Sequence, residues 1–147
     1  MEKQCSEIAK KYKDNNDIFF IGRGADYALS MEAALKLKEI SYIHCEAYAA
    51  GELKHGTISL VTDGTPVFAL ANYEGLYEKM ISNIKEVRAR GARVILLCGE
   101  NAVIPENVAD DVLRVPQMSE LFMPVPTATL SQLIAYYTAL YLGCDVD

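Results

Sequence analysis

The chain has no Cys-x-x-Cys pair: Cys5, Cys45, Cys98 and Cys144 are scattered through its 147 residues. That spacing excludes a disulfide framework and a zinc ribbon, and it points to a reduced, cytoplasmic protein. No His, Cys or Asp pair has metal-ligand spacing, so no metal is expected. The opening residues Met-Glu-Lys-Gln-Cys-Ser-Glu lack the apolar stretch of a signal peptide. No uninterrupted apolar run approaches the ~20 residues of a membrane span. Positive charge is scarce: 14 Lys and Arg face 20 Asp and Glu, for a net charge of −6. That balance excludes a general nucleic-acid surface. Internal repeats and low-complexity linkers are absent too. What remains is one domain, 51% hydrophobic by residue and able to fill a normal core.

Residues 2–13 set Ile8, Ala9 and Tyr12 among Lys and Glu, a short surface helix that Asn15-Asn16-Asp17 breaks. Ile18-Phe19-Phe20-Ile21 is an apolar, β-rich run that ends at Gly22-Arg23-Gly24, the opening of a βαβ unit. This loop lacks the third Gly of a dinucleotide fingerprint, and no Walker lysine follows. It is either an anion cradle at a helix N-terminus or simply the turn that brings the helix back onto the sheet. Asp26 is the expected N-cap of that helix. Ser41–Glu46 reads as an irregular crossover, Tyr48–Lys54 as a short helix bent at Gly51, and Ile58–Val61 as a brief extended piece. Asp63-Gly64-Thr65-Pro66 signals a turn.

Val67–Ala71, Arg93–Cys98 and Val112–Val115 are further strand candidates. A helix is expected over Tyr73–Arg90, with Gly91 beyond its C-terminus. Pro126–Leu142 is helical and apolar almost all round, so it is either buried or meets a partner. Tyr136, Tyr137 and Tyr141 on it read as packing or interface residues. Strands alternating with helices predict an α/β fold, a three-layer α/β/α sandwich on a four- or five-stranded parallel sheet. Ligands then gather at the carboxyl ends of the strands, where the Gly22–Gly24 loop lies.

The helix that follows this loop carries the candidate chemistry. At ~100° per residue, Glu32, Lys36 and Glu39 fall at roughly 0°, 40° and −20°, on one narrow stripe. Leu29 and Ile40 flank it on one side, Met31 and Leu35 on the other. Two ordinary helix contacts, Glu32 to Lys36 and Lys36 to Glu39, explain the spacing equally well and contribute about 0.2–0.5 kcal/mol each. The alternative is a carboxylate base tuned by a neighbouring ammonium. His55, between Lys54 and Gly56, sits where a loop could present an imidazole for proton transfer near neutral pH. His44 has less to recommend it.

The run Leu35-Lys36-Leu37-Lys38-Glu39-Ile40-Ser41-Tyr42-Ile43-His44, continued by Glu46-Ala47-Tyr48-Ala49-Ala50-Gly51-Glu52-Leu53-Lys54-His55-Gly56, carries a resemblance. It is similar to the second sugar-isomerase (SIS) domain of the glutamine–fructose-6-phosphate aminotransferases, the glucosamine-6-phosphate synthases. The flanks agree: Phe20–Gly24 before it, Ser82–Gly91 after it, and the ending Gly143–Asp147. The resemblance covers essentially the whole chain and implies a flavodoxin-like SIS fold. In that family a glutaminase domain precedes two SIS domains. Ammonia from glutamine reaches fructose 6-phosphate, and the imine is isomerised to glucosamine 6-phosphate without a redox or pyridoxal cofactor.

By motif match, Glu39 corresponds to the general base between C1 and C2, and His55 to the ring-opening histidine that the family supplies across a homodimer interface. Lys36 matches a lysine that stabilises the oxyanion, and Glu32 a glutamate of the same pocket. The resemblance also implies what is not here: the phosphate-gripping loops of the first SIS domain, the glutaminase cysteine, and a Gln-Pro-Arg-Asn-Leu-Ala-Lys tail whose Lys forms a Schiff base. Residues 1–147 are therefore expected to be a single SIS domain, a fragment of a larger enzyme that folds but does not turn over alone.

Two other readings keep the fold. One is an SIS-type deglycase or amino-sugar-phosphate deaminase, with no glutaminase domain upstream. The other is a non-catalytic sugar-phosphate sensor, which would carry an upstream helix-turn-helix domain. Glu32, Lys36, Glu39 and His55 together argue against a sensor, which needs no proton-transfer set.

Overall fold

A computed structural model describes residues 1–146. Five apolar runs pair side by side as strands β1 (Asp17–Gly22), β2 (His44–Ala49), β3 (Pro66–Ala71), β4 (Arg93–Gly99) and β5 (Asp111–Val115). All pairings are parallel, in the order β2-β1-β3-β4-β5. Four helices cover the sheet: α1 (Glu2–Tyr12), α2 (Ala25–Ser41), α3 (Glu74–Arg88) and α4 (Pro124–Leu142). Two short 3-10 turns, Ala50–His55 and Thr57–Leu60, follow β2.

Strand alternation divides the core into two layers. Ile18, Phe20, Phe68, Leu70, Ile95 and Leu97 face α1, α2 and α4, meeting Ile8, Leu37 and Ile134. Phe19, Ile21, Val67, Ala69, Val94 and Leu96 face the other way, onto Ile84 and Val87 of α3 and Leu53 of the first 3-10 turn. Both sheet faces are thus covered, which is why these strands read as continuous apolar runs. The fold is the expected three-layer α/β/α sandwich, with five strands.

Gly22 sets how closely α2 returns to the sheet. A Cβ there would stand 2.4 Å from the backbone carbonyl of Asp26, so only glycine admits this packing. Asp26 is not the N-cap: Gly24 is, and Asp26 lies in the first helical turn. Its carboxylate instead reaches across the carboxyl edge of the sheet. The Asn72 backbone N–H and side-chain Nδ2 each donate to it at 2.8 Å.

Three local expectations are corrected between residues 41 and 61. Ser41–Glu46 is no loose crossover, because β2 already starts at His44 and pairs with β1 residue for residue, Asp17 opposite His44 through Gly22 opposite Ala49. The expected Tyr48–Lys54 helix is the end of that strand followed by a 3-10 turn. Ile58–Val61 is mostly the second 3-10 turn rather than extended chain. The physical reason is the edge position of β2. Only one side is paired, so the strand is not apolar throughout, and Ala and Glu disguise it as helix.

Candidate functional site

Glu32, Lys36 and Glu39 ride on the outer face of α2, because Ala33, Ala34 and Leu37 turn inward and are at most 3% exposed. Lys36 Nζ lies 2.9 Å from Glu39 Oε2. That contact, with the Glu39 charge and a smaller contribution from Glu32, holds the Lys36 ammonium above its ordinary range. Of the two expected ion pairs, the close one is Lys36–Glu39; Glu32 acts on Lys36 only through its more distant charge. Leu29 and Ile40 beside the stripe pack onto the core. Met31 and Leu35 on its other side stay 46% and 44% exposed. An ion pair with bare apolar neighbours is a surface shaped to be covered.

His55 lies elsewhere. It ends the Ala50–His55 turn, at the carboxyl edge, on the α3 side of the sheet. Glu39 is in the last turn of α2, on the opposite side and near the amino edge. At ~1.5 Å per residue, roughly 20 Å of helix separates Glu39 from the carboxyl edge where α2 starts. Within one copy the chain brings Lys36 and Glu39 together and keeps His55 away from them. His55 is 73% exposed, with Nε2 3.5 Å from Glu52 Oε2.

Two arrangements were not legible from spacing. His44 is bracketed by carboxylates: Nδ1 is 2.7 Å from Asp17 Oδ1 and Nε2 is 3.3 Å from Glu46 Oε1. The Asp17 bond, with Glu46 beside it, raises the His44 pKa. The Tyr48 hydroxyl donates to the other oxygen of Glu46, and burial together with that carboxylate pushes Tyr48 up to about 12. Period-2 alternation of His44, Glu46 and Tyr48 on one face was the available signal, masked by the small residues between them. The second arrangement ties Arg23, Asn83, Glu86 and Lys54, which lie in three different stretches of the sequence.

Residues 11–142 match the family described as SIS domain. The chain is an SIS domain. It is 53% identical over 133 residues to "Glutamine--fructose-6-phosphate aminotransferase [isomerizing]" of Clostridium acetobutylicum, covering 90% of this chain and 22% of that protein. The enzyme of the same name from Symbiobacterium thermophilum is 50% identical over 147 residues, covering 100% of this chain and 24% of that one. The SIS domain therefore spans under a quarter of the length of these relatives. Among solved structures, the C-terminal domain of glucosamine-fructose-6-phosphate aminotransferase from Francisella tularensis superposes with a TM-score of 0.94 at 37% identity. It matches 99% of this chain and 42% of that one. No helix among the described residues is long and apolar enough to cross a membrane.

The SIS domain thus offers a carboxylate paired with an ammonium on an open helix face, and an imidazole presented at the far edge. A carboxylate can carry a carbon-bound proton if it reaches the C–H, and the ammonium can receive negative charge that develops on an adjacent oxygen.

Proposed function

We propose that the chain is the isomerase-half domain of an enzyme that converts fructose 6-phosphate and glutamine-derived ammonia to glucosamine 6-phosphate. Glu39 takes a proton from C1 of the sugar imine and returns it at C2, through an enol(amine). Lys36 stabilises the oxygen charge that builds on the way, and Glu32 completes the pocket. His55 exchanges the proton that opens the sugar ring. The domain works as a homodimer in the cytoplasm, with a sugar phosphate as ligand and no redox or pyridoxal cofactor. Four free cysteines fit that compartment.

One observation carries the reading. Glu39 and His55 occupy opposite ends and opposite faces of the same sheet. A shared site therefore needs His55 from a second copy, as the family resemblance implies. The exposed Met31 and Leu35 beside Glu39 give that copy a surface to cover. The relatives' names support the substrate class, and the share of their length that is matched supports a domain role.

The test belongs in the longer enzyme that carries this domain. Glu39→Gln should lower isomerisation by about 10²–10⁴-fold, the usual contribution of general base catalysis, and leave glutamine hydrolysis largely intact. Equal loss of both activities would make Glu39 structural. The 147-residue chain alone should form no glucosamine 6-phosphate from fructose 6-phosphate and ammonium. A second reading, an amino-sugar-phosphate deaminase, draws on the solved glucosamine-6-phosphate deaminase of Thermotoga maritima, 27% identical at a TM-score of 0.68. Release of ammonia from glucosamine 6-phosphate, with no use of glutamine, would favour it.

A further inference from the structure

Two separated stretches of this sequence converge on the turn that ends in His55. Arg23, in the Gly22–Gly24 loop, donates from Nε to Asn83 Oδ1 at 3.0 Å. Asn83, on α3 and only 7% exposed, donates from Nδ2 towards Glu86 Oε2 at 3.4 Å. Glu86 Oε1 in turn lies 3.0 Å from Lys54 Nζ. Lys54 is the residue before His55.

Gly51 belongs to the same arrangement. A Cβ at position 51 would stand 2.9 Å from Arg23 Nη2, so the guanidinium lies against the turn where any other side chain would project. Ala50 and Leu53 anchor the turn from beneath, at 0% and 1% exposure. Those two side chains already close the core under the turn. The added polar chain does something else: it fixes the orientation of a segment whose last residue points away from the protein.

We infer that Arg23, Asn83 and Glu86 are positioning residues that hold the Ala50–His55 turn and so aim His55 at the sugar bound by a second copy. The inference rests on the proposed role of His55. The links are unequal. Lys54 is 70% exposed at its side chain, and an ion pair of that kind contributes little. The Arg23–Asn83 bond is charge-assisted and half buried, and it holds the guanidinium against Gly51, the contact through which most of the restraint reaches the turn. Asn83 is therefore the residue to remove.

The experiment has two arms. In the first, backbone order parameters are measured by ¹⁵N relaxation on the 147-residue chain, native and Asn83→Ala, with Glu86→Ala as the milder variant should Asn83→Ala fail to fold. Order at Leu53–Gly56 should fall from a rigid value of about 0.85 to below about 0.6, with β1, β3 and β4 unchanged. A turn that stays rigid, or a sheet that loosens with it, overturns the positioning role.

In the second arm, the longer enzyme carries Asn83→Ala, His55→Ala or both. Asn83→Ala should lower kcat for the ring-closed sugar by about tenfold or more, as misplacement of a reacting group does, with KM nearly unmoved and an open-chain analogue spared. In the His55→Ala background it should cost nothing further. Full additivity overturns the proposal. A silent His55→Ala would instead sink the catalytic reading beneath it, whatever the order parameters show.

Discussion

Lys36 and Glu39 illustrate how little a helical spacing says until its surroundings are known. Both the bland and the catalytic reading require the 2.9 Å contact they make. The neighbourhood adds a packed Leu29 and Ile40 on one side and a bare Met31 and Leu35 on the other. His44 is the converse case, a residue with little claim from sequence that the fold places between two carboxylates and beside Tyr48, with Lys38 of α2 within electrostatic reach of Glu46 and of the buried Cys45 thiol.

Its pKa is raised, so its stabilisation has a defined sign. The contribution is fully present below the unfolded value of about 6.5 and is lost as pH rises through the higher folded value. Because the ring is exposed, the contribution stays below about 1 kcal/mol. An NMR titration should give a His44 midpoint above that of an unperturbed histidine side chain, and Asp17→Asn should bring it back down. An unmoved midpoint in that variant would mean that Asp17 is not the cause.

Among the elements, legibility follows burial. β3 and β4 are enclosed on both faces and show as plain apolar runs, as does the core of β1. β2 was hidden because an edge strand half open to water is written in Ala, Glu and Tyr, and those residues suit a helix as well. Asp26 was legible as a helix-start residue but not in its role, since its partner Asn72 lies 46 positions away. Burial raises the Asp26 pKa and the two Asn72 donors oppose that shift. The carboxylate joins the start of α2 to the end of β3, at the point where the sheet order reverses.

Removing that carboxylate tests the joint. Asp26→Ala leaves the Asn72 N–H and amide without their acceptor, at a cost of about 1–3 kcal/mol. Urea unfolding should show a midpoint lowered accordingly, with an unchanged slope. A stability within error of the native chain would mean that water replaces the lost acceptor.

For the whole molecule, the decisive matter is that one copy holds Glu39 and His55 at opposite ends and on opposite faces of its sheet. The resemblance named Glu39 and His55 within one run of sequence, but no one-dimensional pattern says which side of a sheet each reaches. Parallel topology supplies that: α2 descends from the carboxyl edge on one face, β2 climbs back, and the chain turns over to the other face before His55. The arrangement makes a prediction that distinguishes a shared site from a private one. In the longer enzyme, Glu39→Gln and His55→Ala variants should each be inactive in isomerisation. After subunits are mixed and exchanged, half of the dimers pair one variant with the other, and each such dimer regains one site built from native Glu39 and native His55. Activity should then return to about a quarter of the native level for a two-fold dimer with exchanged residues. If His55 serves its own copy, every mixed site still lacks one residue, and the mixture stays as inactive as its components.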